Sequence, residues 1–209
     1  MTLALHEHRW LPATVPGLPT LVLLHGTGGN ETSLLDIGAE LWPGAARLSP
    51  RGRVLEHGLP RYFRRFAEGE FDLEDLALRT EELGTWLQTA RTAYQVTESP
   101  MVLVGYSNGA NMAASLLLAG VRADIAVLLR PMFVHRPAAL ASLAGTRVRV
   151  ASGARDQITP AASATRLSEL LRECGASVEQ MIQPNASHGL QHVEIVEAAR
   201  WLQHRPRAS

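Results

Sequence analysis

The side chains best equipped for chemistry are Ser107, Asp156 and His188. Ser107 is the centre of Gly105-Tyr106-Ser107-Asn108-Gly109, a G-x-S-x-G pentapeptide. The apolar Met101-Val102-Leu103-Val104 before it reads as a buried strand, and the alanine-rich stretch 110–119 after it reads as a helix. That strand–turn–helix setting distinguishes a nucleophile elbow from a glycine-rich turn with an incidental serine. The turn crowds strand against helix, and Gly105 and Gly109 supply the small flanking residues it needs. A serine hydroxyl is a weak nucleophile at neutral pH. It needs a base within hydrogen-bond reach, and the base needs a third group to fix its tautomer. His188 is assigned as the base and later the acid, and Asp156 as the group that orients the imidazole.

Attack by Ser107 on a carbonyl would create an oxyanion, which backbone N–H groups stabilise. The N–H of Asn108, at the start of the predicted helix, is one donor. The second is expected from His25-Gly26-Thr27-Gly28, where glycines allow close backbone approach, and the N–H of Thr27 is favoured. Competing readings exist for each residue. Asp156 would otherwise cap the helix that follows it, although Thr159 and Pro160 are better placed for that. Among eight histidines, His192 is the chief rival to His188, but it falls inside a predicted helix; His25 more plausibly shapes the glycine loop than exchanges protons. His188 and His192 at i, i+4 resemble a zinc pair, but no glutamate lies between them and no third ligand follows, so no metal is expected. The glycines at 26–29 lack the Lys-Ser/Thr of a phosphate-binding loop, so neither a nucleotide nor any other cofactor is expected. Cys174 reads as an ordinary, partly buried thiol.

The positioning elements alternate. Strands are predicted at 21–24, 45–49, 101–104, 125–129, 148–151 and 178–182, with an edge strand within 3–10. Helices are predicted at 32–41, 73–94 (capped by Asp72), 110–119, 138–143, 161–174 (ended by Gly175) and 190–203. The stretch 50–71 fits neither period and reads as a long loop carrying Arg51, Arg53, Arg61, Arg64, Arg65, His57, Tyr62, Phe63 and Phe66. Alternation of this kind predicts an α/β fold with a mostly parallel central sheet and helices on both faces, in one domain over residues 1–209. In such sheets ligands bind beyond the carboxyl ends of the strands. The loops 25–30, 105–109, 152–159 and 184–189 each follow a strand, so they should gather at one end of the molecule.

Composition sets the outer bounds. Of 209 residues, 46% are hydrophobic and 19% charged, and the formal net charge is zero, which argues against a nucleic-acid binder. A single cysteine excludes an internal disulfide and suits a reducing compartment. The first residues lack the basic start and long apolar run of a signal peptide, and no stretch approaches the ~20 apolar residues of a spanning helix. A cytoplasmic protein without membrane insertion is the expectation.

Four stretches together carry a resemblance: residues 24–31, 105–111, 153–156 and Ser187-His188-Gly189. In this order they resemble the small bacterial phospholipase/carboxylesterase branch of the α/β-hydrolases, over nearly the whole chain. The stretch 49–65 resembles a narrower subgroup, the hydroquinone-associated or MhqD-type carboxylesterases. The resemblance implies an α/β-hydrolase fold with no separate cap domain, a Ser–Asp–His triad in the roles given above, and short carboxylic esters, including aryl esters, as substrates. It also implies a homodimer. Read with it, 51–65 becomes a rim or partial lid, with Arg51 and His57 facing the acyl or leaving group. The expectation is a serine carboxylesterase. Its rivals are a thioesterase or deacylase of larger acyl conjugates, and a non-catalytic binding or sensing protein that keeps the fold.

Overall fold

The structure is a computed structural model that describes residues 2–204. In chain order its elements are β1 (His8–Leu11), β2 (Thr20–Leu24), α1 (Leu35–Leu41), β3 (Ala46–Pro50), β4 (Val54–Glu56), β5 (Leu59–Arg61), β6 (Arg65–Ala67), β7 (Glu70–Phe71), α2 (Leu73–Ala93), β8 (Met101–Tyr106), α3 (Asn108–Leu118), β9 (Ile125–Leu129), β10 (Arg147–Gly153), α4 (Ala161–Glu173), β11 (Ser177–Gln183) and α5 (His192–Gln203). Seven strands form one sheet in the order β1-β3-β2-β8-β9-β10-β11. Only β1 runs antiparallel to its neighbour.

Strand alternation divides the core into two layers. Leu21, Leu23, Val102 and Val104 face one side of the sheet, where they pack with Leu41 of α1 and Ile195, Ala198 and Leu202 of α5. Val22, Leu24 and Leu103 face the other side, with Trp86 and Leu87 of α2, Leu116 and Leu117 of α3, and Leu167 and Leu171 of α4. Side chains on successive residues of a strand point to opposite faces, so a strand covered on both sides must be apolar throughout. All five residues of β2 are buried, as that requires. The chain steps from β2 outward to β3, then returns across β2 to β8. The strand order therefore reverses between β2 and β8, and the crevice beyond their carboxyl ends is where such sheets bind ligands.

Four expectations need correction. Residues 50–71 form two hairpins, β4–β5 and β6–β7, rather than one irregular loop. Their strands are too short to show a period in sequence, but the first hairpin turns at His57-Gly58, both at positive φ (50° and 82°), as a tight two-residue hairpin demands. Residues 138–143 are not helical. The seven residues between Pro137 and Gly145 are too few to sustain a helix nucleus, and the Leu143 N–H instead donates to the Cys174 carbonyl at 2.7 Å. The last helix begins at His192, not 190, because the Gln191 side chain and Glu194 form a reciprocal capping box. At the amino end, residues 3–5 make a single 3-10 turn, and the strand is confined to His8–Leu11.

The turn between β8 and α3 is the tightest backbone packing near the sheet's carboxyl edge. A Cβ at Gly109 would collide with the Leu24 carbonyl, and one at Gly105 with the Gly109 carbonyl. Backbone cannot yield as a side chain does, so Gly109→Ala is expected to lower unfolding free energy by about 3 kcal/mol or more, which urea titration would measure. A loss below half a kilocalorie per mole would show that the packing there is looser than the structure has it.

Candidate active site

The four loops that follow β2, β8, β10 and β11 meet at one end of the sheet. Ser107 sits between β8 and α3 at φ 52° and ψ −118°, left-handed for a residue with a side chain. Such a conformation costs on the order of 1–3 kcal/mol and persists only where its surroundings enforce it. Here the Ser107 N–H donates to the Leu129 carbonyl at 2.8 Å, and the glycine packing fixes the helix start.

His188 Nε2 lies 3.0 Å from Ser107 Oγ, and His188 Nδ1 lies 2.9 Å from Asp156 Oδ2. Sequence separations of 81 and 32 residues are thus closed into a hydrogen-bonded chain. Asp156 does not cap α4, whose N-cap is Pro160. It folds its own loop instead: Oδ1 accepts the N–H groups of Ile158 and Thr159, both at 2.9 Å, and Oδ2 accepts the Thr159 hydroxyl at 2.5 Å. Burial of the carboxyl works to raise its pKa. The Thr159 and His188 hydrogen bonds outweigh it and hold Asp156 below the ordinary aspartate range, ionised at neutral pH.

Ser107 and His188 line a cavity of about 280 Å³ with Thr27, Tyr106, Asn108, Asn111, Met132, Ile158 and Thr159. The N–H groups of Thr27 and Asn108 donate to no protein acceptor among the described residues. The neighbouring Gly28 N–H is engaged by the Pro60 carbonyl at 2.9 Å, which docks the glycine loop on β5.

Arg51 and His57, expected at the acyl or leaving group, do not line this cavity. Arg51 instead binds Glu31 and Glu7, each at 2.6 Å. His57 is exposed at the tip of the β4–β5 hairpin. The hairpin segment does border the cavity, through Arg61, Arg65, Glu68 and Phe71. Arg61 is buried; its Nη1 donates to Thr27 Oγ1 at 2.9 Å and its Nε to the Phe63 carbonyl at 3.2 Å. Glu56 pairs with both Arg61 (3.3 Å) and Arg65 (2.8 Å), and Arg65 also pairs with Glu68. Sequence reasoning missed Arg61 as a cavity residue because it is one of five arginines in a stretch that fits neither the helix nor the strand period. It also missed Thr159 as a partner of Asp156, although a hydroxyl three residues past an aspartate is the usual signature of such a turn. Tyr106 was read only as part of the motif; its hydroxyl donates to the His188 carbonyl at 3.1 Å.

The rival His192 is the first residue of α5 and pairs with Glu40 at 3.1 Å on the surface. A larger groove of about 680 Å³ runs between α2, the end of α3 and residues 135–139. Ser115 and His135 both line it, and no hydrogen bond joins the two side chains.

Residues 74–197 match the Dienelactone hydrolase family. The chain is 41% identical over 184 residues to MhqD of Bacillus subtilis (strain 168), a protein designated a hydrolase, covering 87% of this chain and 90% of the relative. Among solved structures, a Bacillus cereus carboxylesterase superposes with a TM-score of 0.91 at 43% identity, over 95% of this chain and 93% of that one. A carboxylesterase from Mesorhizobium loti superposes with a TM-score of 0.85 at 31% identity, over 93% of each chain.

The glycine loop has a pH-sensitive support. His25 is fully buried; its Nε2 accepts the Gly52 N–H at 3.0 Å and its Nδ1 bonds the Gly26 carbonyl at 2.7 Å. Burial lowers its pKa below 6.5 despite the Gly26 carbonyl and Glu31, and burial lowers that of His6 as well. Below pH 6.5 the unfolded chain therefore takes up protons that the folded chain resists. Stability is expected to be complete above that pH and to fall beneath it, by up to about 1.4 kcal/mol per pH unit for each group. Urea midpoints between pH 7.5 and 5 test this, and the slope should be shallower in His25→Asn than in the parent.

Proposed function

Because the chain belongs to the dienelactone hydrolase family of α/β-hydrolases, we propose that it is a serine carboxylesterase acting on short, uncharged carboxylic esters, aryl esters among them. The observation that carries this reading is the hydrogen-bonded chain Ser107–His188–Asp156, at 3.0 and 2.9 Å, opening on a small cavity beside two unengaged backbone N–H groups. In the proposed reaction Ser107 Oγ attacks the ester carbonyl while His188 Nε2 takes the hydroxyl proton. Asp156 accepts the Nδ1–H bond and stabilises the imidazolium that forms. The N–H groups of Thr27 and Asn108 receive the oxyanion. Collapse expels the alcohol or phenol, which leaves with the proton from His188. Water activated by the same imidazole then releases the acid from Ser107.

The cavity's size and charge support the substrate class. At about 280 Å³ it is at the lower limit of ordinary ligand pockets, so a short acyl chain or a single ring fits better than a long lipid chain. Arg61 and Arg65 are already paired with Glu56 and Glu68. A substrate carboxylate would have to compete with those carboxylates, which favours a neutral ester. Two relatives named as carboxylesterases are consistent with the same chemistry.

The first test is Ser107→Ala. It should lower kcat on a p-nitrophenyl acetate or butyrate by about 10⁶-fold and abolish labelling by a fluorophosphonate probe, while Asp156→Asn should cost about 10⁴-fold. A Ser107→Ala enzyme within tenfold of the parent would remove serine from the mechanism. Oxyester and thioester turnover on one preparation, with acyl chains of graded length, separates the esterase from a thioesterase or deacylase. We expect kcat/KM to favour the oxyester and to fall beyond about six acyl carbons, since a cavity of this order holds few more heavy atoms.

A further inference from the structure

Arg130 follows β9 directly, between Leu129 and Pro131, in a context that gives no hint of a charge. Its backbone is left-handed, at φ 55°, and its side chain is fully buried. The guanidinium makes a two-pronged pair with Glu194 of α5, Nη1 to Oε1 at 2.7 Å and Nη2 to Oε2 at 2.6 Å. It also reaches the two residues flanking the proposed base: Nε donates to the Ser187 carbonyl at 2.9 Å, and Nη2 donates to the Gly189 carbonyl at 3.1 Å. The same Nε lies 3.8 Å from Asp156 Oδ2. One permanent cation therefore touches the histidine loop on both sides of His188 and sits beside the carboxylate that orients the imidazole. Glu194 completes the assembly, because its Oε2 also accepts the Gln191 N–H at 2.9 Å where the loop enters α5.

Besides this cation, the loop is held by the Tyr106 hydroxyl, which donates to the His188 carbonyl at 3.1 Å, and by the Ala186 carbonyl, which accepts the Arg155 N–H at 3.0 Å. Within 184–189 only Ala186 is buried; Ser187 and Gly189 are exposed, and a Cβ at Gly189 would touch nothing within 4 Å. Apolar contact in the loop is thus confined to Ala186 and to the Tyr106 ring, tilted against the imidazole at 5.4 Å, and neither holds the backbone on both sides of His188. A buried ion pair seldom stabilises a fold more than well-packed apolar residues would, so its presence here calls for a use other than stability. The fork geometry of arginine suits that use: it can satisfy one carboxylate and two carbonyls at fixed angles, which a lysine ammonium cannot.

We propose that Arg130, oriented by Glu194, is a positioning residue that holds the Ser187 and Gly189 carbonyls and so fixes the His188 imidazole between Ser107 and Asp156. The proposal rests on the serine-hydrolase reading given above. Arg130 does not line the cavity, so its loss should weaken kcat and leave KM nearly unchanged. A displacement of about 1 Å at a reacting group costs on the order of 100-fold in rate, which sets the scale.

The test uses Arg130→Met combined with Glu194→Gln, which removes both charges of the pair and leaves Asp156 its hydrogen bonds from Ile158, Thr159 and His188, and Arg130→Lys alone. Folding is checked by circular dichroism and thermal unfolding. The double variant, once folded, is expected to lose about 10- to 100-fold in kcat on a p-nitrophenyl ester with KM within threefold, and to react with a fluorophosphonate probe correspondingly slowly. Arg130→Lys should lose less than the double variant and more than twofold. The His188 ring signals, assigned by comparison with His188→Ala and recorded without substrate, should be single in the parent and broadened or doubled in the double variant. A folded double variant with parental kcat and a single sharp His188 signal overturns the proposal. If that variant does not fold, Arg130→Lys with kcat within twofold of the parent overturns it. Failure of the serine reading is distinguishable, because it would appear as hydrolysis surviving Ser107→Ala, while the ring signals still report on the loop.

Discussion

The close approach of the first turn of α3 to the end of β2 governs the rest of the molecule. Gly109 packs its Cα against the Leu24 carbonyl, and Gly105 packs against Gly109 itself. Backbone is in contact with backbone there, with no side chain between. The chain leaving β8 has no room for an ordinary turn, and Ser107 is forced to φ 52° with its side chain projecting from the apex. That same approach brings the carboxyl ends of β2 and β8 together at the reversal of strand order, so Thr27 and Asn108, 81 positions apart in numbering, line one cavity. The strain at Ser107 is a consequence of this packing, and the same turn puts Asn108, the first residue of α3, in the cavity lining.

The hairpin segment extends that constraint to the oxyanion side. The Gly28 N–H donates to the Pro60 carbonyl, and the Tyr62 N–H donates to Asn108 Oδ1 at 2.8 Å. The Tyr62 hydroxyl donates to the Pro50 carbonyl at 2.7 Å and accepts the His25 N–H at 3.2 Å. Residues 60–62 thereby join the loop after β2 to the loop after β8, the two loops that carry the candidate oxyanion donors. Burial pushes the Tyr62 phenol far above its ordinary range, so it is a neutral donor at neutral pH. A segment with only short strands of its own thus takes its order from polar contacts to both loops, and gives that order back to them.

Much of this was legible in the sequence, for a definite reason. Strands β2 beyond Thr20, β8 up to Tyr106 and β9 are runs without a polar side chain, because both faces are covered, and long amphipathic α2 shows its buried stripe at Leu76, Leu83, Trp86 and Leu87. Period and punctuation carry that information locally. The convergence of Ser107, Asp156 and His188 followed from topology, since each lies in a loop that follows a parallel strand. What was not legible depends on contacts made elsewhere. Residues 138–143 have the composition of a helix, yet the Cys174 carbonyl takes the Leu143 N–H. Arg130 lies between a strand and a proline, and nothing near it in sequence announces Glu194, 64 positions on.

Arg51 and His57 show the same limit in a sharper form. A run of arginines reads as one surface, but two reversals of chain direction split it. Before the first hairpin, Arg51 pairs with Glu7 and Glu31, and Arg53 pairs with Glu82 at 2.6 Å, so both brace the amino-terminal segment and α2. After it, Arg61 and Arg65 face the cavity and share Glu56. The turn at His57-Gly58 is the boundary between the two sets, and His57 itself, at the tip, belongs to neither. Which arginines line the cavity follows from that reversal of the chain and not from the density of charge: Arg61 pairs across the first hairpin with Val54, and Arg65 opens the second.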